Sequence, residues 1–410
     1  MNKKLSTENY KGVRDFYPED MAIQRYIFTI WKNTLESFGY ENYDASILEP
    51  TDLYKAKSGE EIVNEQTYNF IDRGDREVTL RPEMTPTVAR MVAQRRRELS
   101  FPLRWFSIPN LFRYERPQRG RLREHWQLNV DFFGISDIEA DIEVIEIATA
   151  ILKNFGLNDS QFEVRINDRR LMNSFFKDLN LNEIEAHQLS KLIDKKNKIN
   201  DFDEQAKKIA GDNFSFDLKP NETIETVIDR LRKRGISNVV FDPTIMRGFD
   251  YYTGLVFEVY DTGSDNNRAL FGGGRYDDLV KIFDQDPIPA FGFGQGDVTM
   301  RDVLETYNLL PDYISRTHLT ICTLNEAFFE PASVLASELR NEGLNVSVDY
   351  SGKKVGDQIS KAHKKKIPFV ICVGDDEISS SKFTIKQLEN GKSKTVKRKD
   401  IVSFIKKNLK

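Results

Sequence analysis

The chain has 410 residues, 39% hydrophobic and 30% charged, with a net charge of −4. That is the profile of a soluble globular protein with room for two or three domains, and it argues against a generally polyanion-binding chain. No apolar run reaches the roughly eighteen residues of a membrane span, the polar opening MNKKLSTENYKG lacks the apolar stretch of a secretory signal, and two cysteines, Cys322 and Cys372, are too few for a disulfide framework. No membrane partner and a cytoplasmic location are therefore expected.

In chain order, Ala22 to Phe38 has helical spacing, with Ile23, Ile27, Ile30, Trp31 and Leu35 on one side. Strand-like pieces follow through Val78 to Leu80, then a helical stretch from Glu83 to Arg95. Leu111 to Gly134, LFRYERPQRGRLREHWQLNVDFFG, reads as a long antiparallel hairpin. Asp137 to Asn154 returns to helical periodicity through Ile142, Ile145, Ala148, Ile151 and Leu152. From about Asp168 to Arg234 the texture turns rich in Lys, Asp, Asn and Glu, which predicts an inserted helical module. Strand character returns in NVVFDP and YYTGLVFEVYD, followed by the cluster Gly272-Gly273-Gly274 and by AFGFGQG at Ala290 to Gly296.

LLPDYISR, near Leu309 to Arg316, reads as a linker. Beyond it, strands and helices alternate over about ninety residues, which predicts a compact α/β domain. Charge is concentrated there. Ser351 to Lys410 holds 16 Lys and Arg against 6 Asp and Glu, a net of +10, so the rest of the chain carries −14. A basic end on an acidic body is a weak sign of nucleic-acid contact, and a solvated lysine-rich surface fits the charge alone equally well. The four histidines, His125, His187, His318 and His363, show no metal-ligand spacing.

The hairpin carries the densest chemistry. Arg113, Arg116, Arg119, Arg121 and Arg123 fall within eleven residues. Arginine keeps its charge at neutral pH, and its planar fork pairs two oxygens at once. Composition leaves two readings open: a site for a nucleotide triphosphate or nucleic-acid backbone, or an exposed tip with solvated charges.

The order of residues decides between them. FRYERPQRGRLREHWQ resembles motif 2 of class II aminoacyl-tRNA synthetases, and its RYERPQ-G-R-x-R form is similar to that of the histidyl-tRNA synthetase family. KGVRDFYPED at Lys11 to Asp20 resembles that family's N-terminal signature. RGFDYYTGLVFE at Arg247 to Glu258 and GGGRYDDLV at Gly272 to Val280 resemble its two histidine-specific segments. The matches run in order from Lys11 to Lys410.

The resemblance implies an α+β fold: a class II synthetase antiparallel sheet core with a helical insertion, plus a C-terminal α/β anticodon-binding domain. The implied domains are 1–167 and 235–312 for the catalytic core, 168–234 for the insertion and 317–410 for anticodon binding. It implies a homodimer that activates L-histidine with ATP and Mg²⁺ and transfers it to the 3′ end of tRNA(His). Residue by residue, Arg113 falls on the α-phosphate position, Arg121 and Arg123 on ATP, Glu115 on the adenine amino group and His125 on the adenine stack. Arg247 falls on the catalytic arginine over the histidine carboxylate and α-phosphate. Glu83, Thr85 and Gln127 match the α-ammonium acceptors. Asp131 and Tyr252 match the imidazole partners, with Tyr251 and Tyr276 lining that pocket. Arg116 and Gln118 match positions that read the tRNA acceptor end, and Arg119 has no assigned role.

The sequence also departs from the family pattern. Motif 3 normally ends in an arginine that grips the γ-phosphate, and Thr299 stands in its place, with Arg301 two residues on. Asp131 is one methylene shorter than the usual glutamate, Met84 replaces a glycine, Ser46 stands near the usual motif 1 proline, and His125 replaces a phenylalanine. These leave two rival readings. One is a histidine-sensing paralogue like the regulatory subunit of ATP phosphoribosyltransferase, and the other a tRNA-binding sensor without catalysis.

Overall fold

A computed structural model describes residues 5–55, 66–196, 199–246, 251–263 and 269–409. The chain divides into two compact units, residues 1–310 and 311–410.

The first unit opens with helix Pro18–Ser37, which starts a turn earlier than its apolar periodicity suggests. Pro18 pre-sets the first helical φ, and Glu19 and Asp20 complement the positive helix end. Ile27, Trp31 and Leu35, spaced by four, are fully buried. Short strands β1 (Glu41–Asn42), β2 (Leu48–Pro50), β3 (Tyr68–Ile71) and β4 (Glu77–Leu80) follow, the last three forming a small antiparallel sheet in the order β2-β4-β3. Helix Thr85–Arg95 comes next, two residues later than its expected start at Glu83.

The hairpin is built from β6 (Asn110–Phe112), which comes after β5 (Leu103–Ser107), and from β7 (Glu124–Phe133). β6 and β7 run antiparallel with Leu111 opposite His125. Helix Ile138–Asn154 is capped by Asp137, whose carboxylate accepts from the Glu139 N–H at 2.9 Å. β8 (Phe162–Asp168), β9 (Val239–Phe241), β10 (Leu255–Asp261), β11 (Ala269–Arg275) and β12 (Ala290–Gly296) complete a sheet ordered β1-β5-β7-β12-β11-β10-β8-β9, with β6 alongside β7. The interior pairs are antiparallel, as expected. The two outermost, β1 with β5 and β8 with β9, are parallel, so the sheet is mixed.

Among the described residues, four α-helices fill the stretch between β8 and β9, but they serve two cores. Arg169–Asp178, Glu183–Asp194 and Phe202–Ala210 bury Met172, Phe176, Leu189, Ile193 and Phe202 together with Phe214 in a cluster of their own. Helix Glu222–Lys233 instead sends Ile224, Val227 and Leu231 into the core of the large sheet. Its hydrophilic texture matches its neighbours because its exposed face is charged, and composition cannot tell which core a buried stripe joins.

The second unit has a five-stranded sheet ordered β14-β13-β15-β16-β17, where β13 is Leu319–Thr323, β14 Val346–Val348, β15 Phe369–Val373, β16 Lys382–Gln387 and β17 Ser393–Lys397. β14, β13 and β15 are parallel and β15 to β17 antiparallel. Helices Phe329–Asn341, Val355–Lys364 and Ile401–Asn408 match the expected alternation. A short helix, Asp375–Ser380, gave no signal because six residues show no periodicity. Among the described residues no helix is long and apolar enough to cross a membrane.

Candidate active site

β7 alternates sharply. Leu128, Val130 and Phe132 enter the core of the sheet, so period 2 sends His125, Gln127, Asn129 and Asp131 to the other face. All four line one cleft of about 1270 Å³. The neighbouring strand β12 opposes them with glycines: Gly292 faces Asp131, Gly294 faces Asn129 and Gly296 faces Gln127. The glycine row is a steric requirement. A Cβ on Gly292 would lie 2.3 Å from the Val130 carbonyl oxygen and 3.0 Å from both Asp131 Oδ1 and the Tyr276 hydroxyl.

At one end, Asp131 is 3% exposed. It accepts hydrogen bonds from the Tyr276 hydroxyl and, at 3.1 Å, from the Tyr43 hydroxyl. Burial raises its pKa to about 6, against the opposing pull of the two hydroxyl donors. The Tyr276 and Tyr43 hydroxyls are pushed well above their usual value, first by burial and then by the Asp131 charge. Tyr251 packs on Tyr252 and Tyr276, with ring centroids 4.8 Å and 5.9 Å away. Its hydroxyl donates to buried Glu83 at 3.3 Å. Gln127 Nε2 donates to Asn129 Oδ1 at 2.7 Å.

The other end is cationic. Arg113 Nε donates to the Pro82 carbonyl at 2.8 Å, which fixes its guanidinium beside the start of helix Thr85–Arg95. The Glu115 carboxylate lies 3.9 Å from Arg113 and 3.6 Å from Arg121. His125 is held neutral, its pKa lowered to about 3 by burial first and then by the Arg113 and Arg14 charges. A neutral ring suits an apolar stacking surface and adds no charge to a crowded site.

The structure thus brings together Glu83, Thr85, Arg113, Glu115, Gln118, Arg121, His125, Gln127, Asp131, Tyr251, Tyr252 and Tyr276 along one cleft. Arg247 lies outside the described residues. Arg116 is exposed and does not line the cleft.

Arg123, expected on ATP, packs beneath the N-terminal segment instead of lining the cleft. Its Nε donates to the Glu115 carbonyl at 3.2 Å and Nη1 to the Tyr10 hydroxyl at 3.0 Å, with the guanidinium 3.9 Å from the Tyr114 ring centroid. The physical reason is the return of the N-terminal segment over the hairpin. Gly12 packs on the Arg123 stem so closely that a Cβ there would meet Cγ at 2.8 Å.

Two features escaped sequence reasoning. Tyr43 has no periodic or motif signal, because only the fold brings it to Asp131. Asp297, fully buried, receives Arg14 Nη2 at 2.8 Å, Gln24 Nε2 at 3.0 Å and the Trp126 N–H at 2.9 Å. It joins the N-terminal segment, helix Pro18–Ser37 and β7 behind the cleft. Arg301 does point elsewhere than Thr299, toward Asp20 at 3.1 Å and Glu305 at 2.9 Å, because two residues turn a helix by about 200°.

Comparison with known proteins gives a consistent result. Residues 12–216 and 204–296 match the family profile described as histidyl-tRNA synthetase, and residues 318–408 match that of an anticodon binding domain. The chain is 44% identical to the histidine--tRNA ligase of Leptospira biflexa, across 99% of both sequences. It is 36% identical to that of Thermoplasma volcanium, across 98% of this chain and 99% of the relative. Among solved structures it is similar to apo S. aureus histidyl-tRNA synthetase, with a TM-score of 0.74 and 25% identity over 98% of this chain and 100% of that one. It is also similar to a Bacillus halodurans C protein described as an ATP phosphoribosyltransferase regulatory subunit/histidyl-tRNA synthetase, with a TM-score of 0.70 and 26% identity over 91% and 99%.

Proposed function

The chain belongs to the histidyl-tRNA synthetase family and is a histidine–tRNA ligase, and from that premise we propose how its cleft divides the work. The observation that carries the assignment is a single cleft with a tyrosine-held carboxylate at one end and clustered arginines at the other. An imidazole fits the first and a triphosphate the second.

Histidine enters at the Asp131 end. Ionised Asp131 accepts an imidazole N–H, and Tyr252 meets the ring's other side, while Tyr251 and Tyr276 form its walls. Glu83, Thr85 and Gln127 receive the α-ammonium. A competitor without two polar ring nitrogens leaves buried groups unpaired, which discriminates more strongly than shape alone. ATP enters as its magnesium complex, the ion riding on the phosphates as part of the substrate. Arg113 faces the α-phosphate, Arg121 the outer phosphates, Glu115 the adenine amino group, and neutral His125 stacks on the base.

In the first step a histidine carboxylate oxygen attacks the α-phosphorus and pyrophosphate leaves. Two anions must approach, so fixed cations lower the barrier by neutralising charge rather than by moving protons. Arg247, by its place in the RGFDYY segment, belongs over both anions. In the second step the 3′-terminal hydroxyl of tRNA(His) attacks the adenylate carbonyl and AMP leaves. Arg116 and Gln118 at the hairpin face the acceptor end. The basic second unit binds the anticodon region, and the enzyme acts as a homodimer in the cytoplasm.

Thr299 in place of an arginine favours one rival, a tRNA-binding sensor without catalysis. Incubation with labelled histidine, ATP, Mg²⁺ and tRNA separates them. Acid-precipitable histidine that depends on ATP and tRNA is expected, whereas tRNA binding without charging would establish the sensor.

A further inference from the structure

Asp131 is held by two phenols that reach it from different places. Tyr276, directly after β11, donates to Oδ1, and Tyr43, directly after β1, donates to Oδ2 at 3.1 Å. Tyr276 lines the cleft and Tyr43 does not. Whatever Tyr43 does for a ligand, it does through Asp131.

Tyr43 is itself firmly placed. Its N–H donates to the Phe106 carbonyl at 2.8 Å, which extends the pairing of β1 with β5 by one residue. Its ring packs on Trp105, with centroids 5.6 Å apart. Trp105 is in turn the cross-strand partner of Asp131. The hydroxyl therefore meets the carboxylate from a segment that the sheet already fixes.

Beside an ionised carboxylate a phenol has one role. The carboxylate only accepts, so the hydroxyl donates. Burial first, and then the Asp131 charge, keep the proton on Tyr43. The torsion that turns a carboxylate about its own axis is soft, and donors on both oxygens hold its plane. Each oxygen keeps a second lone pair. The cleft thus presents an acceptor of fixed orientation, which a ring N–H satisfies and a ring without one leaves unpaired.

We propose that Tyr43 is a positioning residue for amino-acid selection: with Tyr276 it holds Asp131 as a fixed acceptor, which selects a ligand ring that donates an N–H. The inference rests on the histidine-binding reading of this cleft and adds to it a residue that does not line the cleft.

The role has a pH signature. Burial places the Asp131 pKa at about 6 while the two hydroxyl donors pull it down. Losing the Tyr43 donor raises it further. Below that raised value the variant's Asp131 keeps its proton and is no longer a bare acceptor. Above it both proteins are ionised and the difference closes. Other ionisable groups surround the pair. Asp44 adjoins Tyr43 and is engaged by Arg81 at 3.0 Å. Tyr40, on the same segment, donates to Glu143 at 3.2 Å, which Arg104 engages at 2.8 Å. Tyr251 faces Tyr276 and donates to Glu83. All of these, and the titration of histidine itself, are common to both proteins, so the ratio of the two isolates Tyr43.

The test is Tyr43→Phe, which keeps the ring against Trp105. KM for histidine and KM for ATP are measured in pyrophosphate exchange between about pH 6 and about pH 9, beside the unchanged enzyme. KM for histidine should rise roughly three- to tenfold at the acid end, the size of one lost hydrogen bond, and approach the parental value at the alkaline end. KM for ATP should stay parental throughout. A loss of equal size at every pH would make Tyr43 a packing residue, and a parental KM for histidine at the acid end would make its hydroxyl idle. Either result overturns the inference, as does an equal loss for ATP. Exchange by the unchanged enzyme that ignores histidine overturns the histidine-binding reading itself.

Discussion

Asp131 shows how a binding group stores its cost in the unliganded protein. In the folded chain its proton is retained up to about pH 6, against an ordinary value of 3.8, because burial penalises the charge. The folded state binds the extra proton between those values, so stability is highest below the window, falls as pH rises through it and levels off above. Under the proposed function, histidine binding at neutral pH recovers part of that cost by supplying a donor to the ionised carboxylate. Asp131→Asn cannot ionise. Its stability relative to the parent should therefore rise by up to about 3 kcal/mol between pH 4 and pH 7, read from urea unfolding midpoints, while histidine affinity is lost. A stability difference that stays flat over that range would show that the Asp131 charge carries no folding cost. The place of Asp131 in the cleft was legible because its position follows a motif. Tyr43 was not, since nothing near it in sequence predicts the hydroxyl it donates across 88 positions. The arginines divide in the same way. The motif located the cluster, but which guanidinium faces the cleft depends on the return of Tyr10 and Gly12 over Arg123.

The cleft floor is a property of two strands in register. Polar residues alternate on β7 and glycines alternate on β12, and pairing sets each glycine against a cleft-lining side chain. The β7 alternation was readable in HWQLNVDFF, and the glycines were visible as a cluster. Their register was not, because partner strands lie more than 150 residues apart. Two glycine substitutions separate site from scaffold. A Cβ on Gly294 would meet the Gln127 side chain first, at 2.5 Å from Nε2. Gly294→Ala should fold, with Gln127 displaced and KM for histidine raised several-fold in exchange kinetics. A Cβ on Gly273 would lie 1.9 Å from the Gly292 carbonyl oxygen, inside the backbone of the neighbouring strand. Gly273→Ala should lower the melting temperature sharply or yield no soluble protein. A stable Gly273→Ala protein with parental kinetics would contradict the register described for β11 and β12.

The whole molecule keeps two chemistries on two compact units, residues 1–310 and 311–410. The alternation of strands and helices made the second unit legible almost element by element. In the first unit the sheet class was legible but its parallel edges were not, because a two-residue strand such as β1 has no pattern to read. The excess positive charge of the second unit gathers partly around Lys353, Lys354, Lys361, Lys364 and Lys365, which line a shallow surface cavity. Lys361 is paired with Asp349 at 3.1 Å. Replacing Lys353, Lys364 and Lys365 together by alanine should weaken tRNA binding and flatten its salt dependence by about one log–log unit per lost phosphate contact, with histidine-dependent exchange unchanged. An unaltered salt slope would place the tRNA elsewhere.

The central claim is that one cleft joins histidine to AMP, and exchange of labelled pyrophosphate into ATP tests it most directly. At saturating ATP and Mg²⁺, exchange should appear only when histidine is added and should vanish in Arg113→Ala. Absence of exchange, or exchange indifferent to histidine, would contradict it.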